Sequence, residues 1–571
     1  MELSKSRVRW PSLLALGLGL LAFWAWAGAY TLAPGHIGWV MSGIDTQSQY
    51  LAWQFFRLGS WWQWPLGANP AYGSDAPGTI VLSDSIPLMA LALKPFSHWL
   101  HENFQYLGLW DLTCFLLQGW FACKLMRRLT RDPLAQLAGT VFFLTASIFL
   151  VRIYLHPALA AQWLLLAGFC LVLDKAFRRR AWLALLCVAI LVHAYLFVML
   201  AALWGSDLIQ RWWRRECGRA QLLTHAIIAV ILVTILMLAV GYFVPASIST
   251  MPIRTHLDLW FPLWTGNPLA GVWSWVLPAS NLDILASDGF GYFGLGFLLL
   301  LPIAAVSWLV RLRRTAVEVE AEVGTIAAST WLVLTGVCLI LFIYALGNHV
   351  YFAQKLLFAY PLPTWLEHVY DVFRGAARMM WPMWYLLLIG SLFLLLRNLG
   401  ARHARWVMLL CVLVQVGDLS KAAVDVRHSM SATRGWKSDM VSPLWNELAA
   451  GYRHLVYLQP ASVPAGMLSY VKNYRLVADY AAMHGMTINV AYLARENGPR
   501  IAAARTTRIE LLLQGRAEPS TFYVIDDRPL WSRLLCVRDS TQWYGVVDGL
   551  QLVVPDPPPA LRSSPRLPCA D

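Results

Sequence analysis

QLLTHAIIAVILVTILMLAVGYFVP, residues 221–245, runs for twenty-five positions without an Asp, Glu, Lys or Arg. An α-helix rises about 1.5 Å per residue, so this run is long enough to cross the ~30 Å hydrocarbon core of a bilayer. Runs of similar composition recur as far as position 420. Their continuous apolar character predicts membrane helices, and it is unlike the roughly ten-residue alternation of a membrane β-barrel strand.

The composition of the whole chain agrees with a membrane protein. Of its 571 residues, 58% are hydrophobic and 13% are charged, whereas a globular protein carries roughly 25% charged residues. This difference excludes a soluble enzyme. The net charge of +13 would suit a nucleic-acid partner, but the Lys and Arg residues cluster between the apolar runs, and we therefore expect no nucleic acid to bind.

The distribution of Lys and Arg predicts the topology. Six clusters hold 21 of these residues up to position 420, and the alternate loops hold 7. Because cytoplasmic loops carry the excess of positive charge, we expect the amino terminus to be cytoplasmic. The sequence predicts eleven crossings, with spans at 10–32, 104–123, 134–151, 157–174, 221–245, 290–310, 326–346, 377–396 and 404–420 and two more within 181–209.

Two apolar stretches need a separate interpretation. The stretch 181–209 is too long for one crossing, and a single helix would put the basic cluster at 211–219 outside, so we expect two short helices that turn near His193. If the stretch 85–100 crossed the membrane fully, every later loop would lie on the side opposite to the one that its basic residues predict. We interpret it as an amphipathic helix that lies on the outer interface.

The two ends of the chain differ in character. The apolar region of the first span is too long for a cleaved signal peptide, which indicates an uncleaved signal anchor. Beyond Asp418 short β-rich runs alternate with helical stretches. The sequence predicts a transmembrane domain over 1–420 and an exported α/β domain over 421–571 with a disordered Pro-rich tail. Cys536 and Cys569 are the only cysteines of that domain, so an oxidising compartment would allow a disulfide between them.

The first exported loop, residues 33–103, is where we expect a functional site, because long loops commonly carry function. The segment WWQWPLG at 61–67 suits either a sugar-binding face or the aromatic belt of a membrane interface. The loop also contains several polar residues that are candidates for binding or catalysis: Asp45, Gln49, Arg57, Asn69, Asp75 and Asp84.

Several strings resemble those of an uncharacterised bacterial polytopic membrane family: GIDTQSQYLAWQFFR, WPLGANPAYG, SDSIPL, FQYLGLW and FRGAARMMWP. The architecture is similar to that of the GT-C glycosyltransferases, which use polyprenyl-phosphate sugars. This resemblance implies a bacterial inner-membrane protein with a periplasmic carboxy-terminal domain. It also implies an inverting transfer of sugar to a periplasmic or cell-surface glycan, lipid or protein. The first loop has no contiguous acidic pair such as Asp-Xaa-Asp, so the use of a divalent metal stays open.

Asp45 is the candidate catalytic base, from its chemistry and from its matching position in that superfamily. A carboxylate at the membrane surface can take the proton of an acceptor hydroxyl and stabilise an oxocarbenium-like transition state. Asp84 is the second candidate, and its alternative role is to cap the 85–100 helix. Gln49 and Arg57 are candidate substrate-binding residues of the same loop.

A departing lipid phosphate needs cationic partners. Arg374 and Arg378 are four residues apart, which predicts one shared helical face, and Lys355 lies in the same loop. They form either a phosphate clamp or anchors that reach lipid headgroups. Arg152 and His156 bracket the turn between the third and fourth spans, where His156 could bind a sugar or a phosphate or could be structural.

Asp111 lies within the second span, where a buried carboxylate costs about 2.5–3.5 kcal/mol. It could bind a metal together with Asp45 or Asp84, or accept a hydrogen bond from a Trp or Ser of a neighbouring helix, and we favour the second. A transporter or flippase of lipid-linked precursors is the alternative function, but only Asp111 is an ionisable residue of the kind such a protein needs, and no internal repeat is found. Three acidic residues of a later exported loop are interpreted as polar lining: Asp258, Asp283 and Asp288.

Overall fold

The computed structural model describes residues 10–245, 254–280, 282–313, 326–432, 435–460, 471–537 and 541–562, together with 463, 468 and 567. The chain divides into two compact units. Unit 1 comprises 1–33, 106–234 and 252–432, and unit 2 comprises 34–105, 235–251 and 433–571. Four basic residues of the six clusters, Lys5, Arg7, Arg9 and Arg314, lie outside the described residues, and so does Cys569 of the predicted disulfide.

Unit 1 is mostly α-helical, and helices occur at all of the predicted spans. Their bounds are Trp10–Trp26, Leu107–Leu129, Pro133–Leu144, Ser147–Leu155, Trp163–Val172, Arg179–Val192, Ala194–Trp213, Arg219–Val240, Leu295–Arg313, Ala328–Leu346, Thr364–Val372 and Trp381–Ala432. Residues 235–240 of one of these helices belong to unit 2. Short 3-10 helices connect them at Ala29–Leu32, Pro157–Ala160, Phe261–Leu263, Ile284–Gly289 and Ala376–Met380. Two small antiparallel hairpins join Gly266–Asn267 to Gly271–Val272 and His349–Phe352 to Lys355–Ala359.

Three helices are long and apolar enough to cross a membrane: Arg219–Val240, Ala328–Leu346 and the helical stretch 376–431. Two helices bent by 45°, Pro133–Leu144 and Ser147–Leu155, make a fourth if they count as one span. Among the described residues the candidates are therefore far fewer than the eleven crossings predicted. The difference arises because apolar run length overestimates helix length, and the first span, for example, is a helix of only 17 residues.

The apolar stretch 181–209 forms two helices, Arg179–Val192 and Ala194–Trp213. The break falls at His193, whose backbone is extended with φ −165° and ψ 135°. The His193 Nδ1 atom accepts a hydrogen bond from the Tyr195 amide at 3.2 Å, which satisfies a donor at the start of the second helix. The predicted division of this stretch into two helices at His193 is confirmed.

The predicted spans 377–396 and 404–420 belong to one long element, Trp381–Ala432. Its only non-helical residue is Gly400, with φ 72° and ψ 158°, and glycine adopts this conformation without the steric cost of a side chain. The helix continues to Ala432, and the last segment of unit 1 ends there. The polar residues after Asp418, where the sequence predicted the domain boundary, are still helical.

Unit 2 contains a five-stranded mixed sheet, in agreement with the α/β prediction. The strands lie in the order Gln542–Val547, Leu550–Pro555, Thr521–Ile525, His454–Leu458 and Thr487–Ile488. The first three strands pair in antiparallel fashion, and His454–Leu458 pairs in parallel with both of its neighbours. The accompanying helices are Gly38–Ser42, Asp45–Leu58, Pro87–Leu93, Leu444–Gly451, Lys472–Met483, Gly498–Leu513, Arg528–Leu535 and Pro559–Arg562. The core includes Val456, Tyr523 and Val553 of the sheet packed with Leu512 and Leu530 of the helices.

Residues 34–103 of the predicted first exported loop are part of unit 2 and extend its sheet. Tyr72 forms a parallel bridge with Ile488, whose amide donates to the Ala71 carbonyl at 2.9 Å. The Gly73 amide donates back to the Ile488 carbonyl at 3.0 Å. An ion pair reinforces this junction, because Arg508 lies 2.5 Å from the buried Asp75 carboxylate. The predicted division had placed this loop in the transmembrane domain.

Three smaller predictions for unit 2 have mixed outcomes. The stretch 85–100 forms a helix at Pro87–Leu93 followed by a 3-10 helix at Lys94–Trp99. The Pro-rich tail is ordered in part, because Pro559–Arg562 is helical and Leu561 is buried. Cys536 is disulfide-bonded, as predicted, and its predicted partner lies outside the described residues.

Asp479, in the helix Lys472–Met483, gives unit 2 a pH-dependent stability. One carboxylate oxygen accepts a hydrogen bond from the Trp436 indole at 2.9 Å, and the other has no partner among the described residues. Burial raises the pKa of Asp479 to about 6. The unfolded chain releases this proton near pH 4 and the folded chain near pH 6, so stability should fall by about 3 kcal/mol as the pH rises through this window.

We expect Asp479→Asn to remove this pH dependence and to stabilise unit 2 at pH 7, because the amide oxygen can still accept the indole hydrogen bond. Hydrogen exchange in the helix that contains Asp479, corrected for the intrinsic pH dependence of exchange, measures the effect in the full chain. Equal protection of wild type and variant at pH 7 would show that the carboxyl is not destabilising.

Candidate functional site

Three separate segments of unit 1 converge on Asp288. The Arg152 Nη1 atom donates to the Asp288 carboxylate at 3.0 Å, and Arg152 Nη2 donates to the Asp288 carbonyl at 2.9 Å. Arg378 Nη2 lies 3.1 and 2.9 Å from the two carboxylate oxygens. We call Arg152, Asp288 and Arg378 the Arg–Asp cluster. It joins the helix Ser147–Leu155 to the 3-10 helices Ile284–Gly289 and Ala376–Met380.

The Arg–Asp cluster has more positive than negative charge. Burial by itself would raise the pKa of the Asp288 carboxyl, but the charges of Arg378 and Arg152 outweigh burial and hold this pKa well below its usual range. Both guanidinium groups also lie over aromatic rings, Arg152 at 5.4 Å from the Trp381 ring centre and Arg378 at 5.0 Å from that of Tyr195. Two guanidinium groups that converge on one carboxylate form a donor set that suits an anionic ligand.

Arg374 adds further positive charge, but it does not share a helical face with Arg378. The helix Thr364–Val372 ends before Arg374, and the 3-10 helix Ala376–Met380 begins after it. Its carbonyl accepts a hydrogen bond from the Thr255 amide at 3.0 Å. Arg374, Arg378 and Asp288 all act electrostatically on Tyr195, so the two arginines are near one another for a different reason from the one predicted.

Two histidines of unit 1 pack against each other. His156 and His193 are both buried, and their ring centres lie 5.4 Å apart in an edge-to-face arrangement. His156 immediately precedes the 3-10 helix Pro157–Ala160. Lys355 is exposed at the start of a hairpin strand in which every residue is exposed. Lys355 therefore lies on a surface hairpin and is not a member of the Arg–Asp cluster.

The acidic residues of unit 1 have different roles. Asp111 is fully buried in the helix Leu107–Leu129, and neither carboxylate oxygen has a hydrogen-bond partner among the described residues. The favoured prediction, a hydrogen bond from a Trp or Ser of a neighbouring helix, is therefore wrong. Asp258 accepts hydrogen bonds from the Trp260, Ala353 and Gln354 amides and so orders a hairpin turn. Asp283 caps the 3-10 helix that contains Asp288.

In unit 2, Asp45 is the first residue of the helix Asp45–Leu58, and its side chain is partly exposed. The positive end of a helix dipole is a favourable place for a negative charge. Almost all of the rest of this helix is buried, including Gln49, whose carbonyl accepts a hydrogen bond from Ser85 at 3.1 Å. Asp45 therefore lies at the partly exposed start of a helix that is otherwise mostly buried.

Arg57 has a structural role that its sequence position did not reveal. It is buried, and its guanidinium donates to the carbonyls of four residues within and just after the 3-10 helix Lys94–Trp99: Ser97, Leu100, His101 and Glu102. Its Nη1 atom also lies 3.4 Å from the Gln54 side-chain oxygen. Both terminal nitrogens of Arg57 bind protein carbonyls, and its role in substrate binding stays a prediction.

Asp84 does not cap the helix that follows it. The helix Pro87–Leu93 has Ile86 at its N-cap, and no side chain caps it. Asp84 itself has a left-handed backbone with φ 53°, and within unit 2 its charge acts on Tyr242. The capping interpretation is therefore wrong, and the side chain stays a candidate for binding.

Sequence reasoning missed the partners of the residues that it identified. The sequence indicated no role for Asp288 beyond polar lining of a loop. In the structure Asp288 forms ion pairs with two arginines that were predicted to bind substrate. Tyr195 lies under Arg378, and its hydroxyl accepts a hydrogen bond from the Gly375 amide at 2.7 Å. One available signal was that Arg152 and Asp288 lie in loops predicted to be on the same side of the membrane.

These observations define a mostly helical protein with candidate membrane spans, a mixed α/β unit and a largely buried cluster of arginines around one carboxylate. The chain belongs to the family described as a domain of unknown function, DUF6311, which matches residues 16–420. The DUF6311 C-terminal domain matches residues 444–555. No curated protein matches the chain.

Proposed function

We propose that this protein is a membrane glycosyltransferase of the GT-C type, which moves a sugar from a polyprenyl-phosphate donor to a periplasmic or cell-surface acceptor. The observation that carries the proposal is the convergence of two guanidinium groups on Asp288, with Arg374 close to them. Such a group of guanidinium donors suits the phosphate of a lipid-linked donor. The resemblance of the first-loop strings to a GT-C-like family supports the same chemistry.

The proposed reaction is an inverting displacement. The acceptor hydroxyl oxygen attacks the anomeric carbon while Asp45 takes its proton, and the bond between that carbon and the phosphate oxygen breaks. The electron pair of that bond stays with the polyprenyl phosphate, which becomes a monoester with about −1.5 to −2 charge. Arginines that bind the phosphate therefore stabilise the leaving group more strongly than the donor, as catalysis requires.

We propose the membrane topology predicted from the basic residues, with eleven crossings, a cytoplasmic amino terminus and a periplasmic carboxy-terminal unit. Short and bent helices would complete spans that length alone does not identify. A periplasm-active reporter fused after Gly218 should be inactive, and one fused after Gly435, beyond the end of the last long helix, should be active. Activity at Gly218 would mean that His193 interrupts a single crossing.

The proposed donor site is tested by donor binding and transfer in reconstituted vesicles. We expect Arg374→Lys to weaken binding of a polyprenyl-phosphate sugar about 10- to 100-fold, because a lysine cannot supply the bidentate hydrogen bonds of a guanidinium. Arg374→Lys is preferred to the double variant with Arg378→Lys, because Arg378 also pairs with Asp288.

The matched control is Arg254→Lys, since Arg254 also forms a loop ion pair in unit 1, with the half-exposed Asp371 at 2.6 Å. This control should bind the donor normally. Wild-type protein that neither binds the donor nor transfers its sugar would contradict the proposed function. Normal binding by Arg374→Lys would limit this arginine to contact with lipid headgroups.

Transport of lipid-linked precursors is the second candidate, and Asp111 is the observation that favours it. A buried carboxyl without partners in a predicted span is a common feature of proton-coupled transporters. Movement of the donor across vesicles without any transfer of its sugar would support transport. A loss of that movement in Asp111→Asn, with normal folding, would assign the role to this carboxyl.

A further inference from the structure

Unit 2 carries a group of exposed aromatic and apolar side chains that come from two neighbouring segments. Trp62 is 96% exposed, Trp99 is 81% exposed and Trp64 is 73% exposed. We call the full set the aromatic surface, and its members are Leu58, Trp61, Trp62, Trp64, Phe96 and Trp99. Large apolar groups exposed together on a folded surface mark a site of interaction.

The aromatic surface is held in place by hydrogen bonds that belong to the fold. The Lys94 ammonium donates to the Ser60 carbonyl at 2.8 Å and lies 4.0 Å from the Phe56 ring centre, so the two segments are joined. The Gln63 amide donates to the Leu66 and Ala68 carbonyls at 3.1 and 2.7 Å. The rings are therefore presented outward by a fixed backbone.

The same segment is attached to the end of a candidate membrane span. The Leu66 amide donates to the Ala239 carbonyl at 2.7 Å, and the Thr79 hydroxyl donates to the Gly241 carbonyl at 3.2 Å. Gly67 allows this close approach, because a Cβ atom there would collide with the Val240 carbonyl oxygen. The aromatic surface thus begins beside the last turn of the helix Arg219–Val240.

That helix fixes the depth of the surface relative to a bilayer. Its 22 residues span about 33 Å, close to the ~30 Å thickness of a hydrocarbon core, so both ends fall at the interfaces. Only 22% of its apolar window is buried, which leaves much of its surface available to lipid. A segment bound to its Val240 end therefore lies at the level of the lipid headgroups.

We infer that the aromatic surface is a membrane-contact surface that seats unit 2 on the headgroup region of the bilayer, beside the Val240 end of this helix. Trp is enriched at that depth because its ring is apolar and its indole N–H can still form hydrogen bonds. A carbohydrate-binding face, the other interpretation of these tryptophans, is less well supported because Trp62 projects with almost no contact to the rest of the protein. The inference rests on the membrane insertion proposed above and not on the proposed transferase activity.

The test uses the full chain with Cys187 and Cys217, the two free cysteines of intermediate burial, replaced by Ala. Trp62→Cys carries an environment-sensitive fluorophore, and the protein is reconstituted in phosphatidylcholine and phosphatidylglycerol vesicles. We expect strong quenching by lipids with a nitroxide near the headgroup, weaker quenching by lipids with a nitroxide deep in the acyl chain, and severalfold less quenching by aqueous iodide than at a water-exposed site.

Two labelled positions serve as controls. Val546→Cys lies on the strand Gln542–Val547, and Val546 is 49% exposed, as is Trp61 of the aromatic surface. This strand is at the opposite edge of the sheet from Thr487–Ile488, the strand that the first loop joins. It should be quenched by iodide and not by lipid nitroxides. Ile231→Cys, midway along the helix Arg219–Val240, should respond mainly to the deep nitroxide.

The three labels distinguish the possible failures. If the label at 231 is not quenched by lipid, the proposed membrane insertion fails, and the inference fails with it. If the label at 231 is quenched and the label at 62 behaves like that at 546, the protein is inserted but the aromatic surface does not contact the bilayer. Protection of position 62 from iodide by added maltodextrin, without quenching by lipid nitroxides, would assign the surface to carbohydrate.

Discussion

Asp288→Asn should lower the free energy of unfolding of the protein by about 3–5 kcal/mol, because it leaves Arg152 and Arg378 largely buried beside a neutral amide. The side chains of these arginines are 5% and 16% exposed, so water can replace the lost carboxylate only in part. Unfolding in mixed micelles, compared at one detergent composition, measures this difference.

Acid should have the same effect on the wild type. Since the folded-state pKa of Asp288 lies below its unfolded value, the stabilisation by the Arg–Asp cluster is present above about pH 4 and is lost as the pH falls further. The Asn variant should lack this acid-dependent loss. A variant that retains the full acid sensitivity would show that other carboxyls cause it.

Asp371→Asn is the matched control, because it removes a carboxylate from the exposed ion pair with Arg254 in the same unit. Exposed pairs contribute about 0–1 kcal/mol, so this variant should be nearly as stable as the wild type. Combining Asp288→Asn with Arg378→Gln should recover part of the loss, because one buried charge disappears. A loss in Asp288→Asn no larger than in Asp371→Asn would mean that the cluster is solvated and is not a source of stability.

The sequence predicted the positions of the helices well because each depends on the local run of apolar residues. The break at His193 is an example, since the length of the stretch and the basic cluster after it require a turn. Fewer helices of the described residues are long and apolar enough to span a membrane than the eleven crossings predicted. Composition does not reveal where a helix bends or ends within an apolar run, as between Leu144 and Ser147.

Sequence patterns did not predict the contacts between residues that are far apart in the chain. Arg152 and Asp288 are 136 positions apart, and no local spacing relates them. The docking of the first loop onto the strand Thr487–Ile488 uses backbone hydrogen bonds, which leave no side-chain signature. The acceptors of Arg57 are likewise backbone carbonyls some forty residues later, so the local sequence did not indicate them.

Asp45 remains the proposed catalytic base because of its position in unit 2. The polar residues that follow it, such as Gln47 and Gln49, are buried within unit 2, whereas the Asp45 side chain remains partly exposed at the start of the helix. Asp75, another acidic residue of the first loop, is buried, and its carboxylate contacts Arg508 and Asn489. Asp45 is therefore better placed than Asp75 to meet an acceptor hydroxyl.

Asp45→Asn should lower the rate of sugar transfer about 10²- to 10⁴-fold, because the amide keeps the shape of the side chain but cannot take a proton. Donor binding should persist, since the proposed phosphate site lies in other residues. The acid limb of the pH–rate profile should also disappear, which a purely structural effect would not produce. Asp439→Asn, at an exposed acidic residue of unit 2 that pairs with Lys472, should transfer sugar normally. Transfer at the wild-type rate by a folded Asp45→Asn protein would remove Asp45 from the mechanism and make Asp84, in the same loop, the next carboxylate to replace.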